Sequence, residues 1–164
     1  MNTSVNPLKL AERYWGDVPV PVFQILEELG LGPSIDFLDD DNISGWIERR
    51  PNGSYGVTVN ARHAHVRQRF TAAHELGHYI YHRDLLGAGT GDTRAYRAEG
   101  TRFPNGAIRP VHERQANSFA ANLLMPVKSI NRLKAEGITS VAGLADRLGV
   151  SQDAMRIRLG IPRA

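Results

Sequence analysis

Hydrophobic positions along the chain change their period four times, and each change marks an element. Asn6-Pro7 opens a short helical segment from Leu8 to Trp15. Val20-Pro21 opens a second, in which Val22, Ile25, Leu26 and Leu29 recur at helical spacing until Gly30 stops it. Between Gly32-Pro33 and Asn60 the pattern turns to strands: Ser34 to Leu38, then Ile43 to Arg50 and Tyr55 to Asn60 around the turn Pro51-Asn52-Gly53. Val57 and Val59 alternate there with polar neighbours, so the segment reads as a strand followed by a hairpin. The longest helical stripe, Phe70, Ala73, Leu76, Gly77, Ile80 and Tyr81, predicts a helix from about Val66 to His82. Leu85 to Pro110 is rich in Gly, Thr, Arg and Pro without periodicity and reads as a long connection, of the kind that gates a site. Helical spacing returns at Ala116, Phe119, Ala120, Leu123 and Leu124 and breaks at Met125-Pro126. Two short helices, roughly Val141 to Leu148 and Gln152 to Leu159, then flank Gly149-Val150-Ser151.

At 164 residues, with 41% hydrophobic and 23% charged positions, the chain suits one compact domain with a small appended unit. The absence of cysteine excludes disulfides, thiolate metal sites and a cysteine nucleophile, and fits a reducing cytoplasm. Any metal must be held by His, Asp or Glu. Met1 to Asp17 lacks the pattern of a signal peptide and no run approaches ~18 apolar residues, so the expectation is a soluble cytoplasmic protein with no membrane partner. Charge is uneven: residues 1–60 carry 4 Lys/Arg and 9 Asp/Glu, whereas residues 101–164 carry 10 and 4. A basic C-terminal end suits contact with nucleic acid or an acidic protein, or a solvated helix surface.

The chemistry concentrates in His74-Glu75-Leu76-Gly77-His78. Histidines four apart on a helix share a face and can reach one zinc ion, while the glutamate beside them can take a proton from the attacking water and return one to the leaving amine. With 6 His and 8 Glu in the chain, chance would supply this pattern roughly 0.01 times, so accident is a weak explanation. The bland alternative is two surface histidines beside a solvated glutamate. Gly77, which costs a helix ~1 kcal/mol, is expected where another element approaches closely. A catalytic zinc wants a third protein ligand and an open position. Glu113 is the preferred donor, on a helix whose Ala116, Phe119 and Ala120 can pack against the motif helix; Asp84, Asp92 and Glu99 compete from the connection. Asn117, one turn past Glu113, is placed to orient a ligand imidazole. His82 continues the four-residue spacing but lies about 12 Å along the axis from His74, too far for both to bind one metal, and is expected to support the site or pack. His63 and His65 read as loop or strand residues. The oxyanion candidates, unranked, are His112, Tyr79, Tyr81, Tyr96, Arg94 and Arg97.

Two stretches, Arg67-Gln68-Arg69-Phe70-Thr71-Ala72-Ala73-His74-Glu75-Leu76-Gly77-His78 and His112-Glu113-Arg114-Gln115-Ala116-Asn117-Ser118-Phe119-Ala120-Ala121-Asn122-Leu123-Leu124-Met125-Pro126, resemble the ImmA/IrrE family of metallopeptidases. A third, Leu148 to Leu159, resembles that family's small C-terminal helical unit. The resemblance implies an α+β, zincin-like fold: a small antiparallel sheet packed on the motif helix over residues 1–132, and a helix-turn-helix-like unit over residues 133–164. It implies one zinc on His74, His78 and Glu113, with Glu75 as general base. It also implies site-specific cleavage of a cytoplasmic transcriptional repressor, as in antirepression, stress response or toxin-antitoxin control. Asn117 departs from the aspartate often found four residues after the ligand glutamate, and lends its ligand less basicity.

The C-terminal stretch fits helix-turn-helix spacing, with Ala145, the turn glycine Gly149, the cap Ser151, and Arg156 and Arg158 on the second helix, although Arg158 stands where an apolar residue is usual. Such a unit can contact DNA, dock a repressor, or pack on the core, the last two being favoured. Two functions follow. In the first, a repressor segment lies along the sheet edge near Tyr55 to Asn60 and is cut. In the second, a non-catalytic module with structural zinc docks a repressor or DNA.

Overall fold

The computed structural model describes residues 5–86, 94–98 and 108–162, the backbone alone for 94–98. Two short helices, α1 (Pro7–Glu12) and α2 (Val22–Glu28), lead into strands β1 (Ser34–Asp36), β2 (Ile43–Arg49) and β3 (Tyr55–Asn60). Asn6 caps α1 by accepting from the Lys9 amide, and Pro7 takes the first helical position, where its missing N–H costs nothing. The long helix α3 (His65–Tyr81) follows, then a 3-10 turn (Arg83–Leu85) and strand β4 (Arg94–Ala98). Helices α4 (Pro110–Leu124), α5 (Val127–Ala135), α6 (Val141–Leu148) and α7 (Gln152–Leu159) complete the chain.

The four strands form one sheet in the order β1-β3-β2-β4. The hairpin β2–β3 and the pair β2–β4 are antiparallel, but β1 runs parallel to β3, so the sheet is mixed where a purely antiparallel one was expected. The reason is chain direction: the short connection 37–42 sends β2 back against β1, and the tight hairpin returns β3 in the sense of β1. This order also makes β3 internal. Its far side is taken by β1 and, at Val57, by a bond from the Val57 amide to the Leu31 carbonyl, so the stretch Tyr55 to Asn60 is not the free edge expected to receive a peptide. Strand β4 was not foreseen within the long connection; as an edge strand it needs little beyond backbone pairing to β2, which weakens any hydrophobic alternation. The rest of that connection, including Asp92 and Glu99, lies outside the described residues.

Helix α3 lies across the sheet. Gly45 of β2 lets it approach, since a Cβ there would sit 2.9 Å from the Thr71 methyl carbon. Every residue from Thr71 to His78 is buried, which removes the reading of two surface histidines with a solvated glutamate. Against the other side of α3 lies α4, and the two cross at Gly77, where an added Cβ would stand 3.1 Å from Ala116 Cα and 3.2 Å from Phe119 Cδ1. His65, expected in a loop or strand, is the first residue of α3 and stacks on Phe23 at 6.3 Å between centroids; His63 stays in the loop, its Nε2 on the Asp41 carbonyl.

One hydrophobic cluster runs from Val22, Ile25 and Leu26 through Ile47, Val57, Val59 and Leu76 to Leu123, Leu144, Leu148 and Met155. Helix α5, not expected from the sequence, buries Ile130 and Leu133 in it. The α6–α7 turn is held from α3: buried Arg69 donates from Nε to the Gly149 carbonyl at 2.9 Å and from Nη2 to the Leu148 carbonyl at 3.4 Å. Gly149 has φ +67°, and a side chain there would also meet the Arg69 guanidinium. Arg158, the departure from helix-turn-helix spacing, donates from Nε to the Met125 carbonyl at 2.9 Å, fastening α7 to the end of α4. Among the described residues no helix is long and apolar enough to cross a membrane.

Candidate metal centre

Helix geometry turns the imidazoles of His74 and His78 toward each other, with Nε2 atoms 3.1 Å apart. Glu113, on the first turn of α4, closes the triangle: Oε2 is 3.1 Å from His74 Nε2 and Oε1 is 2.9 Å from His78 Nε2. Both histidines are buried and Glu113 is about one-third exposed, at 35% of its side chain. The carboxyl of Glu113 feels burial, which alone would raise it, but hydrogen bonds and charge from the two imidazoles outweigh that and hold it at about 2. Burial pushes His78 and His82 below the ordinary imidazole value.

The backs of the rings are held as well. His74 Nδ1 lies 2.8 Å from Asn117 Oδ1. An amide oxygen only accepts, so the ring hydrogen facing it sits on Nδ1, which leaves Nε2 of the neutral ring available to a cation. This donor set fits a cation: His74, His78 and Glu113 could together hold a metal ion. Glu75, one residue past His74 on α3, is fully buried.

Of the remaining candidates His82 and His112 adjoin the centre, their ring centroids 4.8 Å apart, and the others are dispersed. His82 is buried at the end of α3, with Nδ1 2.9 Å from His78 Nδ1 and Nε2 2.6 Å from Gln115 Oε1. His112 caps α4, its Nδ1 accepting from the Arg109 amide at 2.9 Å. Tyr79 packs edge-on against Tyr55 with Arg83 over its face at 4.2 Å, and Tyr81 leans on Phe119 at the surface. Arg94, Tyr96 and Arg97 pair through their backbones with Glu48, Trp46 and Gly45; their side chains lie outside the described residues. Asp84 is exposed in the 3-10 turn. Sequence reasoning missed Gln115. Its only signal was a place two residues after Glu113, which periodicity assigns to a different face of α4.

A mixed sheet under a helix carrying HExxH, crossed by a helix that brings a glutamate to both histidines, defines a zincin-like, metallopeptidase-like domain. The family model of IrrE N-terminal-like domains, peptidase family M78, matches residues 28–160, and the chain belongs to that family. Among solved structures, a Mycobacterium tuberculosis transcriptional regulator is similar in fold, with a TM-score of 0.55 and 17% identity over 96% of this chain. This chain spans 42% of the length of that regulator. No curated protein sequence matches it.

Proposed function

We propose that this chain is a zinc-dependent endopeptidase, with zinc on His74, His78 and Glu113 and with Glu75 as general base. The observation that carries the reading is the convergence of three ligand side chains, with contacts of 2.9–3.1 Å among them and the back of His74 on Asn117. Donors of a tetrahedral zinc at about 2.1 Å stand about 3.4 Å apart, so small side-chain rotations accommodate the ion. When bound, zinc lowers the pKa of water and polarises a scissile carbonyl. The chain's own residues do the rest. Glu75, next to His74 in the chain and fully buried, takes the proton of the attacking water and delivers it to the leaving amine. Asn117 holds the hydrogen of His74 on Nδ1 so that Nε2 remains a ligand.

The substrate class, a cytoplasmic transcriptional repressor, rests on the family resemblance, and the name of the structural neighbour, a transcriptional regulator, is compatible with it. The helical unit over residues 133–164 serves here as a packing and docking element rather than a DNA reader, because Arg158 is committed to the Met125 carbonyl and Arg156 lies 3.5 Å from Asp153. The test compares newly created protein N-termini in host cells expressing the wild-type chain or Glu75→Gln. One regulator cut only by the wild type supports the peptidase. If both forms bind zinc and a partner while no terminus differs, the non-catalytic docking module replaces it.

A further inference from the structure

We propose that Gln115 is a positioning residue for the metal centre: acting through His82, its side-chain oxygen decides which ring nitrogen of His78 carries the hydrogen. The inference rests on the reading of His78 as a metal ligand. The argument follows the polarity of two hydrogen bonds. Because an amide oxygen only accepts, His82 Nε2, 2.6 Å from Gln115 Oε1, carries its ring hydrogen. With both rings in the neutral form that a metal ligand requires, His82 is bare at Nδ1 and His78 Nδ1, 2.9 Å away, is the donor. That leaves His78 bare at Nε2, the atom facing His74 Nε2 and Glu113 Oε1.

Reversing the Gln115 amide reverses the chain. An NH2 group pointed at His82 Nε2 would place the hydrogen on His82 Nδ1, strip it from His78 Nδ1, and put it on His78 Nε2, where a ligand needs a lone pair. The state of a buried ligand is thus set two hydrogen bonds away, on the solvent side of α4. Asn117 does the same for His74 in one step. Helix α4 therefore contributes a ligand, Glu113, and the groups that orient the other two. Gln115 also lines a groove of about 570 Å³ with Tyr81, Val111, Arg114 and Ser118, so it can be replaced without opening the core.

The experiment measures zinc affinity by chelator competition, and ring protons by 15N-imidazole NMR of the metal-free protein, for wild type, Gln115→Met, Gln115→Glu, His82→Phe and His78→Ala. Gln115→Met and His82→Phe are expected to weaken zinc binding about 10-fold or more, and Gln115→Glu, which keeps an acceptor, to match or exceed wild type. The His78 Nδ1–H should be a slowly exchanging signal in wild type and Gln115→Glu and be lost in Gln115→Met. Wild-type affinity with that proton unchanged in Gln115→Met overturns the proposal. So does a loss in Gln115→Met that Gln115→Glu fails to restore, since that would mark a packing role. Equal zinc binding by His78→Ala and wild type would instead remove the metal-ligand reading itself.

Discussion

Replacing Gly77 with alanine sets two effects against each other. Helix propensity alone favours alanine by about 1 kcal/mol in the interior of α3. The new methyl, however, would stand 3.1 Å from Ala116 Cα and 3.3 Å from Ala116 O, inside the ~3.5–4.0 Å of an ordinary carbon contact. Those neighbours are backbone atoms of α4 and cannot rotate away as a side chain would. Relief requires α4 to retreat by a few tenths of an ångström, and overpacking of this kind costs about 1–3 kcal/mol. The net expectation is a loss of about 1 kcal/mol, or about 2–4 °C in Tm for a chain of this size, read from thermal unfolding in the presence of a chelator. Glu113 sits one turn before Ala116 and moves with it. Since metal–ligand distances tolerate only about 0.2 Å, zinc affinity by chelator competition should fall too. A Tm raised by the amount propensity predicts, with zinc affinity unchanged, would refute the helix crossing as described.

Two further substitutions probe the supports of the site. Asn117→Asp adds charge behind His74 and should tighten zinc binding, whereas Asn117→Ala should loosen it by about 10- to 100-fold; equal affinities in chelator competition would show that the His74 contact does not matter. Arg69→Met keeps the bulk of the side chain but strands the Gly149 and Leu148 carbonyls, at a cost of about 2 kcal/mol in urea unfolding, with faster amide exchange across residues 141–159. Unchanged exchange in that segment would mean the helical pair does not depend on α3.

Much of this arrangement was legible beforehand where physics is local. The stripe from Phe70 to Tyr81 placed α3 to within a residue at each end, because its apolar period runs unbroken for several turns. The turn between α6 and α7 was likewise readable from Gly149 and the cap Ser151. Helix α5 escaped because only Ser129, Ile130 and Leu133 are buried among lysines and arginines, too few to define a period in nine residues. The parallel pairing of β1 and the arrival of β4 depend on chain direction and edge pairing, which leave no mark on side-chain type. At the metal centre, spacing pointed to the histidines and a helix start to Glu113. The support behind His78 was hidden, since Gln115 reaches His82 only through the angle at which α4 crosses α3.

The bond between Arg69 and the Gly149 carbonyl spans 80 positions of the chain. All three proposed ligands and Glu75 emerge from a ribosome well before residue 149 does. Until then the motif helix carries a guanidinium whose permanent carbonyl partners do not yet exist, beside a core still missing Leu144, Leu148 and Met155. Closing so long a loop is slow compared with winding a helix. Residues 144–155 therefore act as a latch on the chemistry that precedes them, and a chain made only as far as Leu124 would hold every group proposed to bind metal without the scaffold that keeps them in register.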